Sequence, residues 1–103
     1  MYTVHYSITF SDSLANLINY WQDELGFKDK QIKQFIQLIR QIIKNISYYP
    51  YVYRDVTELY GLKTTTYRAL IGKQYAFFYR IDSINKIILV GALFSQQQMK
   101  IDF

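Results

Sequence analysis

The sequence predicts an α+β domain whose elements follow the order β-α-α-β-β-β. A run of alternating polar and apolar residues opens the chain, and two longer segments then carry apolar residues at helical spacing. Beyond residue 66, three short runs rich in aromatic and β-branched residues are separated by turn-forming residues. A chain of 103 residues is long enough to bury one core, so we expect one domain over residues 1–103.

The first strand is predicted over residues 2–10. Its apolar residues recur with period two, which is typical of a strand that buries one face; they are Tyr2, Val4, Tyr6, Ile8 and Phe10. The same segment has neither the basic nor the continuous apolar region of a signal peptide. No apolar run in the chain approaches the roughly 20 residues that span a bilayer. We therefore expect a cytoplasmic protein with no membrane partner.

Two amphipathic helices are predicted to follow this strand. The first is expected over about residues 12–25, with Ser11 or Ser13 as N-cap and Gly26 as its stop. The second begins at a cap formed by Asp29 and continues until the chain reaches its single proline. Because few residues connect them, we expect an antiparallel hairpin that packs on one face of the sheet and leaves the other face available.

The C-terminal half is predicted to form an antiparallel three-strand meander. Its strands are expected at residues 67–71, 75–82 and 86–94, with Gly72 and Lys73 in the first turn. The first strand must join the edge or the interior of this sheet, because one strand alone is not stable. Residues 50–66 show no sustained period and are predicted as loop, or as a short edge strand.

Charge and composition narrow the function classes. Twelve Lys and Arg residues against eight Asp and Glu give a net charge of +4 and a pI near 9.3, which favours nucleic acid or an acidic protein as partner. Solubility alone is the other explanation of this charge. The chain has no cysteine, so it has neither a disulfide framework nor a thiolate metal site, and this suits a reducing compartment.

Most enzyme motifs are missing. His5 is the single histidine, so the sequence supports neither a Ser/His/Asp triad nor a multi-histidine metal site, and we interpret it as a surface residue of the first strand. The four glycines form no phosphate-binding loop and no dinucleotide fingerprint. We therefore predict no cofactor and no metal.

Two arginines of the meander are the best candidates for a binding face. Arg68 and Arg80 alternate with apolar neighbours along their strands, so the two side chains can share one face of the sheet. Guanidinium forks and aromatic rings together bind phosphates and stack bases. The alternative is that both arginines only solvate the sheet, or pair with Asp55, Glu58 or Asp82.

The segment TYRALIGKQYAFFYRID, residues 66–82, resembles the RelE/ParE superfamily of type II toxin-antitoxin toxins, which are linked to plasmid stabilization. The segment follows a pattern similar to that of the family. An arginine-containing strand is followed by a short turn and then by a Tyr-x-hydrophobic-hydrophobic-Tyr strand that ends in basic, apolar and acidic residues. The resemblance implies a toxin that inhibits growth and is held inactive by a cognate acidic antitoxin. It also implies catalytic roles for Arg68, Arg80 and Gln97. Cations and aromatic residues are concentrated in the C-terminal half of the chain, and this indicates binding of nucleic acid or target by Arg54, Lys63, Tyr67, Lys73 and Tyr75.

Three activities are compatible with this resemblance: a ribosome-dependent, metal-independent mRNA endoribonuclease, a ParE-like DNA gyrase inhibitor without catalysis, and an inactive interaction module. The nucleases of the family use basic residues, and often His or Tyr, just beyond the last strand. Here that stretch reads SQQQMK, with Gln97 near the position of a common Arg, and Ala76 replaces an Arg found in some nucleases. These departures keep the gyrase alternative open.

Overall fold

The computed structural model describes residues 1–99 and 101–103, which form a mixed five-stranded sheet with two helices on one face. The elements are β1 (Thr3–Tyr6), α1 (Ile8–Asp23), α2 (Asp29–Tyr48), β2 (Arg54–Asp55), β3 (Tyr67–Ile71), β4 (Tyr75–Asp82) and β5 (Ile87–Ser95). The strands lie in the order β1-β5-β4-β3-β2. β1 runs parallel to β5, whereas all other neighbours are antiparallel. The predicted α+β class is confirmed, and β1 takes an edge of the sheet.

The first strand is shorter than predicted, and α1 begins earlier. Ser7 ends the strand because its Oγ accepts a hydrogen bond from the Phe10 backbone N–H at 3.1 Å, which makes it the N-cap of α1. The predicted cap Ser11 therefore lies inside the helix. So does Ser13, whose Oγ accepts from the Leu93 N–H at 3.0 Å and ties α1 to β5. Of the two apolar residues that continued the period-two pattern past the strand, Phe10 is buried and Ile8 is exposed on α1.

The helix ends follow the predicted breaks to within two residues. α1 ends at Asp23, and Gly26 then adopts a φ of 62°, which a glycine reaches without strain. The N-cap of α2 is Lys28 rather than the predicted Asp29, and its backbone N–H donates to Gln31 Oε1 at 2.9 Å. Neither helix is long and apolar enough to cross a membrane, within the part of the chain that the structure describes.

The main core lies between the sheet and the two helices. Phe77 and Tyr79 of β4 project into it between Phe10 of α1 and a row of isoleucines on α2. The isoleucines are Ile39, Ile42, Ile43 and Ile46. The Tyr79 hydroxyl is fully buried and donates to the Pro50 carbonyl at 2.7 Å, and burial raises the pKa of Tyr79. Most aromatic residues of the three meander strands therefore lie in the core, in keeping with the general tendency of aromatic side chains to be buried.

The two helices do not close completely on each other. An apolar groove of about 430 Å³ lies between them. Its walls come from the end of β1, from α1 and from α2; they are Tyr6, Phe10, Ser11, Leu14, Ala15, Ile18, Ile36, Ile39, Arg40 and Ile43. The apolar stripes of the hairpin are therefore directed mainly at the sheet.

The opposite side of the sheet, which we call the second face, is partly covered. A smaller cluster forms there from Val56, Ala76, Phe78 and Phe94, with Tyr60, Ile101 and Phe103 packed against it. The connection between β2 and β3 and the described residues 101–103 supply this cover. The predicted loop at residues 50–66 contains the short edge strand β2, which pairs with β3. The second face is consequently available only in part.

The Tyr79 hydroxyl gives a direct test of this core. We expect Tyr79→Phe to lower the free energy of unfolding by about 1–3 kcal/mol, because the buried Pro50 carbonyl loses its donor. Urea denaturation with an unchanged m-value would measure this loss. Tyr20→Phe removes an exposed hydroxyl and should change stability by less than about 0.5 kcal/mol. Equal losses in both variants would contradict the assignment.

Candidate nucleic-acid interface

Three arginines from three neighbouring strands lie on the second face. Arg54 of β2 is directly opposite Arg68 of β3, and Arg68 is directly opposite Phe78 of β4. Arg80 stands two residues beyond Phe78, so it is the diagonal neighbour of Arg68 at a Cα separation of roughly 7–8 Å. We call Arg54, Arg68 and Arg80 the arginine row. The shared face predicted for Arg68 and Arg80 is confirmed, and the register adds Arg54 to it.

Arg68 is the most constrained member of the row. Its side chain is half-buried, and Nη1 donates to the Tyr60 hydroxyl at 2.8 Å. Tyr60 is in turn held edge-on against Phe78, with ring centroids 5.8 Å apart. The Nε–H of Arg68 is buried and has no hydrogen-bond partner. An unpaired buried donor on a cation is costly, so this arrangement lowers the stability of the fold.

Arg80 is fixed by two different contacts. Its Nε donates to the Thr66 hydroxyl at 3.2 Å, and that hydroxyl donates to the Thr64 carbonyl at 2.8 Å. The guanidinium carbon lies 4.0 Å from the centroid of the Phe103 ring, a cation–π geometry. Thr66 is fully buried, which gives the first contact a rigid support.

The nearby carboxylates are engaged in turns rather than with the row. Asp55 accepts from the hydroxyl and the backbone N–H of Thr57, and these bonds lower the pKa of Asp55. Asp82 accepts from the backbone N–H and the side-chain amide of Asn85, which lowers the pKa of Asp82. The hydrogen bonds of Arg68 and Arg80 go to hydroxyl groups instead. Pairing with Asp55 or Asp82 therefore does not account for these arginines.

The two predicted site tyrosines lie on the helix side of the sheet, away from the row. Tyr67 stacks on Tyr79 with ring centroids 5.4 Å apart. The Tyr75 hydroxyl accepts from Trp21 Nε1 at 3.3 Å, and its ring packs edge-on against Trp21 and Phe35. Both side chains contribute to the main core.

The remaining predicted site residues occupy three separate places. Lys63 is exposed on the connection between β2 and β3, and Lys73 is exposed in the turn between β3 and β4. Gln97 is exposed beyond β5 and lines a second groove of about 520 Å³, together with Ser13, Asn16, Leu17, Tyr20, Tyr75, Leu93, Phe94, Ser95 and Gln98. Lys100 of the same stretch lies outside the described residues.

The structure does not bring Gln97 to the arginine row. The β5 residue Ser95 is opposite Tyr75, and Arg80 lies five residues further along β4. At about 3.4 Å per residue, this corresponds to roughly 17 Å along the strand. The end of β5 from which Gln97 continues is therefore well separated from Arg80.

Three residues that support the row were not identified from the sequence: Tyr60, Thr66 and Phe103. The many tyrosines between residues 48 and 60 could have indicated Tyr60, because they are too numerous to be buried together. Thr66 and Phe103 carried no signal, because their contacts with Arg80 span 14 and 23 residues of sequence. Pattern analysis does not detect pairs of this separation.

The arginine row is suited to binding an anion. Like charges placed directly opposite each other on a sheet repel, and Arg54 and Arg68 have this relation. Guanidinium forks match the geometry of phosphate and carboxylate oxygens, so a polyanion would relieve the repulsion. Among residues 1–99 and 101–103, no group of three or more His, Cys, Asp or Glu side chains could hold a metal ion.

Comparison with solved structures identifies toxin folds. A metal-bound toxin from Helicobacter pylori matches with a TM-score of 0.69 and 15% identity, over 97% of this chain and 100% of its own. A chain of the toxin-antitoxin complex RelBE2 from Mycobacterium tuberculosis matches with a TM-score of 0.56 and 18% identity, over 92% and 98%. Scans against protein-family models and curated proteins found no match. The likeness confirms the fold expected from the family resemblance.

The repulsion within the row can be measured on the free protein. We expect Arg54→Gln to raise the free energy of unfolding by roughly 0.2–1 kcal/mol, because it removes the charge opposite Arg68. The gain should fall in 1 M salt, where the screening length is about 3 Å. Lys73→Gln, at the far turn, is the matched control and should give no comparable gain. A loss of stability in Arg54→Gln would contradict the repulsion.

Proposed function

We propose that this chain is the toxin component of a type II toxin-antitoxin system and arrests growth as a ribosome-dependent mRNA endoribonuclease. The observation that carries the proposal is the arginine row, in which three cations from adjacent strands share one face without carboxylate partners at Arg68 and Arg80. The fold shared with the Helicobacter pylori toxin and the RelBE2 complex supports it. The basic pI is consistent with a nucleic-acid substrate.

The proposed chemistry is metal-independent cleavage of an RNA phosphodiester. The ribose 2′-oxygen attacks the adjacent phosphorus and forms a 2′,3′-cyclic phosphate as the bond to the 5′-oxygen breaks; water accepts the 2′-proton and supplies a proton to the departing 5′-oxygen. Negative charge develops on the phosphate oxygens, and Arg68 and Arg80 stabilise it with preorganised donors. Arg54, at the exposed edge, binds a neighbouring phosphate.

The other predicted residues take supporting roles in this proposal. Lys63 lies on the connection that covers the second face and adds positive charge beside the row. Gln97 and Lys73 stand toward the opposite end of β4 and β5, so they contact the message or the ribosome away from the cleaved phosphate. Tyr67 and Tyr75 act through the core, since they support β3 and β4 from the helix side.

The proposed partner is an acidic antitoxin. The RelBE2 structure is a complex of toxin and antitoxin, and the fold likeness brings such a partner into consideration for this chain. An acidic segment of the antitoxin would place carboxylates on the arginine row and exclude phosphates from it. Inhibition then follows from competition between two anions for the same guanidinium groups.

The principal test adds purified protein to a translating extract and maps mRNA cuts at codon positions. We expect Arg68→Ala to reduce cleavage by roughly 10²- to 10³-fold, the usual effect of removing one donor to a developing oxyanion. Arg68→Lys should restore little, because an ammonium lacks the planar fork. Arg40→Ala removes an arginine of α2 and serves as the matched control, with cleavage unchanged. Intact message with the unmodified protein would refute the nuclease.

A second candidate, inhibition of DNA gyrase without catalysis, is favoured by one observation. Ser95, two residues before Gln97, is opposite Tyr75, which lies roughly 17 Å from Arg80 along β4, and residues 95–103 include no His or Tyr that could transfer a proton. If gyrase is the target, excess protein should abolish supercoiling or trap cleaved DNA, and Arg68→Ala should weaken this effect. Unchanged supercoiling would exclude gyrase. Harmless expression without the antitoxin would point to an inactive interaction module.

A further inference from the structure

The described residues 101–103, which we call the strap, lie across the second face of the sheet. The Asp102 carbonyl accepts from the Ala92 backbone N–H at 2.7 Å and from the Thr9 hydroxyl at 3.3 Å. Ile101 and Phe103 pack with Phe78 and Phe94 in the smaller apolar cluster. The strap is therefore fixed by hydrogen bonds to α1 and β5 and by apolar contact with β4 and β5.

Gly91 of β5 makes this arrangement sterically possible. A Cβ atom on Gly91 would lie 2.8 Å from the Asp102 carbonyl oxygen and 2.8 Å from the Phe103 ring. Distances this short are not tolerated between carbon and backbone oxygen, so any larger residue would displace the strap. The glycine is needed for a close approach of two chain segments rather than for an unusual backbone angle.

The strap brings the Phe103 ring under the Arg80 guanidinium at 4.0 Å. Stacking occupies a flat face of the guanidinium and leaves its in-plane N–H groups to acceptors. The Thr66 hydroxyl already holds the Nε edge. Together the two contacts define both the plane and the rotation of the guanidinium.

We propose that Phe103 is a positioning residue that fixes the guanidinium plane of Arg80 for contact with a substrate phosphate, and that Gly91 provides the space for this contact. The inference rests on the proposed function and extends it to a residue outside the strands. A flexible arginine must lose rotamer freedom when it binds, whereas a stacked one is already ordered. The benefit is expected mainly in the transition state, where the phosphate charge is largest.

The test compares three substitutions of Phe103 in the full chain. Phe103→Leu keeps an apolar side chain but removes the π face, and we expect kcat to fall roughly 2- to 30-fold, the range that a cation–π contact corresponds to, while KM stays nearly unchanged. Phe103→Trp and Phe103→Tyr keep the π face and should retain activity close to that of the unmodified protein. Gly91→Ala should reproduce the leucine phenotype, although it alters no polar side chain.

A merely structural role predicts a different pattern. Loss of activity would then follow the loss of thermal stability across all four variants, and the tryptophan variant would not be rescued. Equal kcat for Phe103→Leu and the unmodified protein would overturn the inference. So would a rise in KM with kcat unchanged, since that would indicate simple substrate contact.

A second readout separates failure of this inference from failure of the proposed function. If the unmodified protein cleaves no message, the nuclease is refuted, and the strap is then judged by the Nε–H resonance of Arg80 in the free protein. Support requires that Phe103→Leu shifts and broadens this resonance, with Phe103→Tyr behaving as the unmodified protein. An unaltered resonance in Phe103→Leu would contradict the inference.

Discussion

The whole arrangement depends on β4 being buried on both faces. Phe77 and Tyr79 project from this central strand into the helix-side core, while Ala76 and Phe78 project into the smaller cluster on the second face. A strand covered on one side only would have left the second face open and the arginines mobile in solvent. Because apolar cover reaches the second face, the guanidinium groups of Arg68 and Arg80 lie at the border of a low-dielectric region, where hydrogen bonds to charge are stronger.

The site is built at some expense to stability. Arg54 opposes Arg68 across two strands, and the buried Nε–H of Arg68 has no acceptor. Neither feature helps the chain to fold, since like charges repel and an unpaired donor loses its hydration. The hydroxyl groups of Tyr60 and Thr66 accept one hydrogen bond from each arginine without neutralising its charge. A carboxylate in either place would neutralise that charge and weaken the attraction of the row for anions.

Sequence patterns predicted the parts of this structure that depend on local spacing. The strands of the meander, the stop at Gly26 and the shared face of Arg68 and Arg80 follow from period two, from helical spacing and from glycine conformation. The predicted start of α1 was wrong because the periodic pattern does not show which serine acts as the N-cap. The N-cap is Ser7 rather than Ser11 or Ser13. Arg54 lies in the row because of the strand register, and Phe103 contacts Arg80 across 23 residues of sequence. Neither relation has a local sequence signature.

Tyr67 and Tyr75 were predicted to bind the target, but they lie in the core. Side chains alternate between the two faces of a strand, and theirs project from the face that is opposite Arg68 and Arg80.

The parallel pairing of β1 with β5 has a consequence for synthesis of the protein. β1 occupies the edge of the sheet, and its neighbour lies more than eighty residues later in the chain. During translation the first strand must wait unpaired until β5 has been made, while α1 and α2 can form locally in the meantime. The strap packs on β5, so the orientation of Arg80 is acquired at the last stage of folding. The arginine row is therefore completed only after residues 101–103 have been synthesised.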